Sequence, residues 1–198
     1  MRNHDELSLA YLDDDTLKKV FKALSKNGEP FREGYGISGR TYSLLDHDEK
    51  RFLHAYFLLA CMPGGLLIPY GDELGKTNIE TDSSDTREIN RGNLTKKEID
   101  SAKGKRIFEK IQEFLENRSY LNDYINVWPE KLSAPDSVYA AQYVSGSSKL
   151  ITMVNLTDKE QKVPLKTEGY QIKNKLYAVK VDDDGVILSP YAGVWIQK

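Results

Sequence analysis

GISGRTYSLLDHDEKRFLHAYFLLACMPGGLLIPYGDELG, residues 36–75, is the stretch on which the fold turns. Asp46 with Glu49 three residues later spells a capping box, and so predicts a helix that starts there. From Phe52 to Met62 the apolar residues run almost all round that helix, which predicts burial on every side rather than along one stripe. Pro63-Gly64-Gly65 breaks it. Leu66 to Tyr70 then reads as a short buried strand of the type found inside parallel sheets. Pro69 has no N–H to offer a ladder and belongs at the strand's end. Tyr70-Gly71-Asp72-Glu73-Leu74-Gly75 follows directly, at a place where carboxylates commonly face a site. On this stretch alone a helix cap or turn accounts for them more simply.

Upstream, Asp15 is positioned to cap a helix through TLKKVFKALSKN (16–27), with Leu17, Val20, Phe21 and Leu24 on one face. The helix is expected to stop near Asn27-Gly28, where a Gly-rich connector begins. Downstream, the polar loop of residues 71–93 exceeds the usual connection length, and long structured loops in compact domains are often functional. Thr95 and Glu98 make a second capping box. It predicts a helix to about Asn117, with Ile99, Phe108, Ile111 and Leu115 inward.

Near residue 120 the style changes. SVYAAQYV (137–144), KLITMVNL (149–156), KVPL (162–165), KLYAVKV (175–181), GVILS (185–189) and GVWIQ (193–197) read as short strands between turn-forming segments. Asp184-Gly185 is a strong hairpin signal. Together they predict an antiparallel sandwich of roughly 65–75 residues, near the lower limit for an independent core.

Composition sets outer bounds. A chain of 198 residues holds one large or two small domains, and 39% hydrophobic residues suffice for a core. The net charge of −2 argues against a broad basic surface for nucleic acid or a polybasic arm for membranes. Cys61 is the one cysteine, so no intrachain disulfide forms, and its apolar neighbours predict a buried, inert thiol. With no apolar leader after Met1 and no membrane-length apolar run, the expected location is cytoplasmic. The three N-x-[ST] triplets, at Asn93, Asn117 and Asn155, are then chance matches.

The densest ionisable cluster is His4-Asp5-Glu6. A carboxylate beside an imidazole can orient it, serve acid/base work or stabilise a developing cation. Alone, the tripeptide reads more simply as a solvated polar terminus. Asp82, Asp85, Arg87 and Arg91 in the long loop are able to bind sugar hydroxyls, or to form a surface ion-pair network, which is the commoner case. His47 and His54 have no second ligand at metal spacing. Nothing matches a P-loop, a dinucleotide fingerprint, a zinc ligand set or a nucleophile elbow, so neither a metal nor another cofactor is expected.

Taken in order, RNHDEL (2–7), residues 36–75 and the strand-rich tail ending LSPYAGVWIQK (188–198) resemble the last third of the α-amylase family, glycoside hydrolase family 13. Within it the chain is most like the trehalose synthase and α-glucosyltransferase-like members. The resemblance spans essentially the whole chain, most strongly at 2–7 and 45–75. It implies a fold that is α+β by content. Residues 1–119 would be the C-terminal remnant of a (β/α)8 TIM barrel, from the end of the seventh strand to the eighth helix. Residues 120–198 would be a small antiparallel β-sandwich, domain C.

Matched residue by residue, the resemblance implies that Asp5 stabilises the oxocarbenium-like transition state. His4 would hydrogen-bond the sugar hydroxyls and Asn3 would help orient the pair. Tyr70, Asp72 and Glu73 match the end of the eighth strand, with mostly structural roles and some contribution to the sugar site, and Arg87 joins the substrate-binding set. The chain departs from the family at Leu66, usually Pro, and at Pro69, near an aromatic position. SDTREINRG (84–92) stands where trehalose synthases carry Arg-x-Pro-Met-Gln-Trp.

A retaining glycosidase also needs a carboxylate nucleophile and a carboxylic acid roughly 5–5.5 Å apart. The family supplies these from its fourth and fifth strands, and nothing here matches them. The expected activity is therefore that of part of a retaining α-glucosidase or α-glucosyltransferase acting on an α-linked glucoside or glucan, with the isolated chain inactive. The expected partners are the missing N-terminal barrel portion or a second copy of the chain. The alternative is a non-catalytic module that binds carbohydrate or a partner protein.

Overall fold

A computed structural model describes residues 7–124 and 126–198, so Asn3, His4, Asp5 and Glu6 lie outside the described residues. The chain divides into two compact units. One comprises residues 7–52 and Leu67–Glu109, the other Leu53–Leu66 and Lys110–Lys198.

The first unit opens with β1 (Leu7–Ser8), α1 (Asp14–Leu24), β2 (Glu29–Phe31) and β3 (Gly36–Ser38). The three strands form an antiparallel sheet in the order β1-β3-β2. This sheet was not legible in the sequence, where residues 28–39 read as a connector. α1 carries its apolar residues on one half-buried face, as the spacing predicts. Its cap is Asp13 rather than Asp15: Asp13 Oδ1 accepts from the Thr16 N–H at 3.0 Å. The helix begins two residues earlier than expected, which leaves Asp14 and Asp15 in the first turn, where acidic groups complement the helix dipole. It ends at Leu24, ahead of the expected Asn27-Gly28 stop.

α2 (Thr41–Leu44) and the start of α3 (Glu49–Ala60) follow. The expected Asp46–Glu49 capping box does not form. Asp46 and His47 adopt left-handed backbone (φ 59° and 58°), so the helix entry passes to Asp48. The Asp48 Oδ1 atom accepts from the N–H groups of Lys50 (2.8 Å) and Arg51 (3.2 Å). Asp46 instead receives Asn27 Nδ2 at 2.9 Å. From Arg51 to Met62 no residue is exposed, in line with the all-round apolar pattern.

Residues 66–70 form no strand. Leu67 is 70% and Tyr70 60% exposed, so the expected burial also fails here. A strand exists only through a ladder partner; among the described residues none pairs with this segment, and Pro69 removes a donor besides.

The Thr95–Glu98 capping box is present and opens α4 (Lys96–Ile99). The helix is interrupted at Asp100-Ser101 and resumes as α5 (Ala102–Asn117). α5 is amphipathic, but its phase differs from expectation: Ile107, Ile111 and Phe114 are buried, whereas Phe108 and Leu115 are substantially exposed, as is Ile99. Apolar residues occupy two neighbouring faces of α5, and periodicity cannot say which of them finds a partner.

The second unit holds β4 (Glu130–Lys131), β5 (Val138–Ser145), β6 (Ser148–Asn155), β7 (Gln161–Pro164), β8 (Gln171–Leu176), β9 (Val179–Asp182), β10 (Gly185–Leu188) and β11 (Gly193–Gln197). They form two antiparallel sheets, β4-β5-β6-β11-β8 and β7-β10-β9. The hairpin signal holds, with Asp182 opposite Gly185 and Asp183-Asp184 as the two-residue loop. The stretch read as one strand at 175–181 belongs to two, β8 and β9. Between them Tyr177 takes a left-handed backbone (φ 61°), a conformation that ends the first strand.

A shared core joins the inner faces of the two sheets: Val138, Ala140, Ile151, Met153, Val194 and Ile196 from one, Val163, Val186 and Leu188 from the other. The opposite face of the five-stranded sheet is covered as well. Trp195 lies fully buried there, with its ring centroid 6.0 Å from that of Phe57 and its indole N–H donating to Cys61 Sγ at 3.0 Å. Burial on both faces is why apolar residues run side by side in β6 (Leu150-Ile151 and Met153-Val154) and β11 (Val194-Trp195-Ile196) rather than alternating. Burial also pushes the Cys61 thiol up to about 12, so the inert thiol expected from its neighbours is what the fold contains. The Arg118 guanidinium donates to the carbonyls of Ala60, Met62 and Gly64, satisfying the last carbonyl of α3 and two in the turn that follows it.

Candidate functional site

The candidate site in the first unit is built on the turn Tyr70–Gly75. Gly71 and Gly75 both have left-handed backbone (φ 88° and 62°), which glycine adopts without strain. A Cβ at Gly75 would fall 2.5 Å from Ile107 Cδ1, so the turn is also pressed against packed structure. Between the glycines, Asp72 is fully buried.

Several side chains hold this turn. Arg40, itself only 4% exposed, approaches Asp72 Oδ1 at 3.5 Å through Nη1 and donates from the same nitrogen to the Tyr70 carbonyl. The Thr41 hydroxyl donates to Asp72 Oδ2 at 2.7 Å. Glu73 folds back so that Oε2 accepts from the Gly71 N–H at 2.8 Å. The Tyr70 hydroxyl accepts from the Leu94 N–H at 3.2 Å, while its ring stays exposed. The site therefore contains a buried, hydrogen-bonded carboxylate beneath an exposed aromatic ring.

The loop that follows is tied down at both ends. The Asn78 side chain accepts from the Arg40 N–H (2.6 Å) and donates to the Asn27 carbonyl (2.7 Å), and its own N–H donates to Ser43 Oγ (3.0 Å). Lys76, 4% exposed, donates to the Asn93 carbonyl at 2.9 Å and to Glu98 Oε1 at 3.0 Å. Burial of Glu98 would raise its pKa. Hydrogen bonds from the Thr95 N–H, the Lys76 ammonium and the Thr95 hydroxyl outweigh that and hold the carboxyl at about 2. Lys103 donates to the Gly75 carbonyl at 2.8 Å and sits 4.4 Å from the Tyr42 ring centroid; its partial burial lowers its pKa.

Arg87 belongs to a second cluster. It grips Asp85 with two parallel bonds of 2.7 Å, and its guanidinium lies 5.5 Å from the Phe31 ring centroid. The Arg87 side-chain and backbone hydrogen bonds depress Asp85 to about 2. Arg91 pairs with Glu88 at 2.7 Å and approaches Asp85 at 3.7 Å. Of the sequence-predicted site residues, the structure thus joins Tyr70, Asp72 and Glu73 on one turn and places Arg87 in this loop cluster. Asn3, His4 and Asp5 fall outside the described residues. Among the described residues no group of His, Cys, Asp and Glu could hold a metal ion. No described helix is long and apolar enough to cross a membrane.

The sequence reading missed Arg40, Thr41, Asn78 and the Lys76–Glu98 pair. Only Glu98 had a local signal, as a capping-box member. The others act on partners too distant in sequence for a spacing rule.

No family model matches the chain. Curated proteins do. A trehalose synthase/amylase, TreS, of Mycobacterium tuberculosis is 32% identical over 79 residues, which is 40% of this chain and 13% of that protein. A trehalose synthase of Thermus thermophilus is 33% identical over 75 residues, 38% of this chain and 8% of its own length. Over 75–79 residues, then, the chain is similar to trehalose synthases. Solved structures of α-amylases and related enzymes share its fold. An α-amylase from H. orenii superposes with a TM-score of 0.64 at 14% identity, covering 81% of this chain and 38% of the amylase. The trehalulose synthase MutB from Pseudomonas mesoacidophila gives 0.62 at 12% identity, covering 80% and 41%. AmyP, solved in complex with maltose, gives 0.57 at 18% identity, covering 75% and 34%. The chain therefore spans less than half the length of each of these proteins.

Proposed function

We propose that the chain supplies the C-terminal part of a retaining α-glucoside-active enzyme that hydrolyses α-glucosidic bonds or transfers the glucosyl unit. Residues 1–119 form the end of its (β/α)8 barrel and residues 120–198 its domain C, in the cytoplasm. The observation that carries this reading is the 32–33% identity to trehalose synthases, in a chain whose fold matches α-amylase-family structures.

In this reading Asp5 steadies the positive charge that develops at the anomeric carbon, and His4 and Asn3 hold the ring hydroxyls. Tyr70 offers its exposed ring to the sugar. Asp72 is too buried to meet a ligand directly; held by Arg40 and Thr41, it fixes the turn that carries Tyr70 and Glu73. Arg87, drawn into its bidentate bond with Asp85, presents a fixed cation from the loop cluster. The nucleophile and general acid come from elsewhere, so the chain by itself binds without turning over.

Two measurements test this. Purified residues 1–198 are expected to release no product from maltose, sucrose or maltooligosaccharides; measurable turnover overturns the division of labour. Titrating maltose into the ¹⁵N-labelled chain is expected to shift the amide signals of His4, Asp5, Tyr70 and Arg87. Unchanged spectra at saturating sugar overturn the substrate assignment.

A further inference from the structure

The second unit contains a cavity of about 500 Å³. It lies between the Pro63-Gly64-Gly65 turn that follows α3 and the 3-10 segment Arg118–Tyr124 that continues α5. Small-molecule sites commonly measure about 300–1,000 Å³, so an organic ligand has room here.

The lining sets the chemistry. Arg118 is its single charged side chain, and no carboxylate lines the cavity. A guanidinium carries five N–H groups, of which three go to the carbonyls of Ala60, Met62 and Gly64. One N–H on Nε and one on Nη2 remain. Carbonyls at a helix C-terminus are worth roughly half a negative charge, so they offset only part of a full cation. No acid supplies the rest. The ionisable groups that face Arg118 are Tyr143 and Cys61, and burial pushes both upward, the thiol to about 12, so both are neutral near pH 7. Of the acids near it in sequence, Glu116 receives Gln112 Nε2 at 2.9 Å and Asp123 is exposed; neither lines the cavity. A half-buried cation left in this state gains most from an anion that brings its own oxygens.

Much of the remaining wall is carbon. Tyr124 and Tyr143 are almost fully buried, and their hydroxyls are engaged by Ser148 Oγ (2.8 Å) and the Cys61 carbonyl (2.6 Å), which leaves their rings to the cavity. Leu115 adds an aliphatic side chain that is 41% exposed. At Gly64 and Gly65 a Cβ would meet nothing within 4 Å, so the space beside the turn is unfilled. A wholly apolar ligand would bury Arg118 further without a counter-ion, and a bare inorganic anion would leave the apolar wall in water.

We infer that this cavity binds a small organic anion, its phosphate or carboxylate on the free N–H groups of Arg118 and a ring-sized apolar body against Leu115 and the two tyrosine rings. The site goes beyond the α-glucoside reading and does not rest on it. A cavity this open holds its ligand with a dissociation constant on the order of 0.1–1 mM.

Phenyl phosphate and benzoate are titrated into the ¹⁵N-labelled full chain, with inorganic phosphate and benzyl alcohol standing for the head group and the body alone. Saturable shifts of the Gly64, Gly65, Ser119 and Asn122 amides are expected with one or both ring anions, and the tighter of the two identifies the preferred head group. Inorganic phosphate is expected to bind about tenfold or more weakly, and benzyl alcohol not to saturate. Two variants add a charge test. Gly65 lies outside the left-handed region and has free space at its Cβ position, so Gly65→Glu and Gly65→Gln are both expected to fold. Gly65→Glu sets a carboxylate beside Arg118 and is expected to weaken phenyl phosphate or benzoate about tenfold or more, Gly65→Gln no more than about threefold. The Glu variant should also have the higher urea midpoint, since both variants gain equally from losing a glycine in the unfolded chain. Trp195 is buried and Trp128 already exposed, so fluorescence follows the unfolding of this unit through Trp195.

No saturable shift with either ring anion overturns the site, as do shifts that benzyl alcohol reproduces. Undiminished binding in Gly65→Glu, or equal midpoints for the Glu and Gln variants, overturns the part given to the Arg118 charge. Inorganic phosphate bound as tightly as phenyl phosphate overturns the apolar body. The maltose titration reads other residues, Tyr70 and Arg87 among them, so either proposal fails without the other.

Discussion

The sharpest consequence of the site geometry concerns Arg40 and Asp72. Their side chains are 5% and 0% exposed, and the carboxylate also receives the Thr41 hydroxyl at 2.7 Å. Replacing Asp72 with Asn keeps the shape but leaves the Arg40 charge buried without its counter-ion. Losing one member of a buried pair costs about 3–5 kcal/mol. Arg40→Met strands the Asp72 carboxylate in the same way and also deletes the bond to the Tyr70 carbonyl, so its cost lies at the upper end of that range. The double variant removes both charges together. It should therefore be destabilised by clearly less than the sum of the single changes, with a coupling on the order of 2 kcal/mol. Thr41→Val removes one hydrogen bond to a charged group and should cost about 1.5–3 kcal/mol. Both tryptophans lie in the second unit, so fluorescence would miss this change. Hydrogen exchange by mass spectrometry, read on peptides spanning residues 36–52 and 67–80, reports the opening free energy of the affected segment. Additive single and double variants, or an Asp72→Asn effect below about 1 kcal/mol, would refute the claim that this pair anchors the turn.

Acid should loosen the long loop. Glu98 is held at about 2 in the folded chain, against an ordinary value of 4.5. Its stabilisation is therefore complete above about pH 5 and is lost as pH falls toward 2. With the carboxylate one-third exposed, the effect amounts to about 1–2 kcal/mol; Glu98→Gln should flatten the acid limb of a pH series of urea midpoints by that amount. In the second unit, Phe57 is fully buried against Phe114 and Trp195, with ring centroids at 5.2 and 6.0 Å. Phe57→Ala should cost about 3–5 kcal/mol in fluorescence-detected unfolding, and a cost under 1 kcal/mol would contradict the packing described.

Much of the local structure was legible. The Thr95–Glu98 box is satisfied within three residues, so a short motif specifies it. The Asp46–Glu49 box has the same spelling but fails, because residues 46–47 turn left-handed, leaving Asp48 to cap the helix. The strand pattern after residue 137 survived because turn chemistry and strand length are both local. The small sheet of residues 7–38 was illegible because its strands are two or three residues long, too short for alternation to register.

The sequence by itself determined three of the helices, most of the sandwich strands, a hairpin whose signal at Asp184-Gly185 falls one residue past the actual loop, and the turn at Tyr70–Gly75. These depend on backbone preference and on partners a few residues away. It also marked Tyr70, Asp72 and Glu73 as a group. Only the tertiary structure decided what each does: Asp72 is sealed beneath the turn by an arginine 32 positions earlier, while Tyr70 is left open. It likewise decided that one face of α5 is buried and its neighbour is not, and that one tryptophan is core while the other faces water. Burial is a property of what lies across the space around a side chain, and a linear pattern of apolar residues fixes how many faces can be covered without saying which ones are.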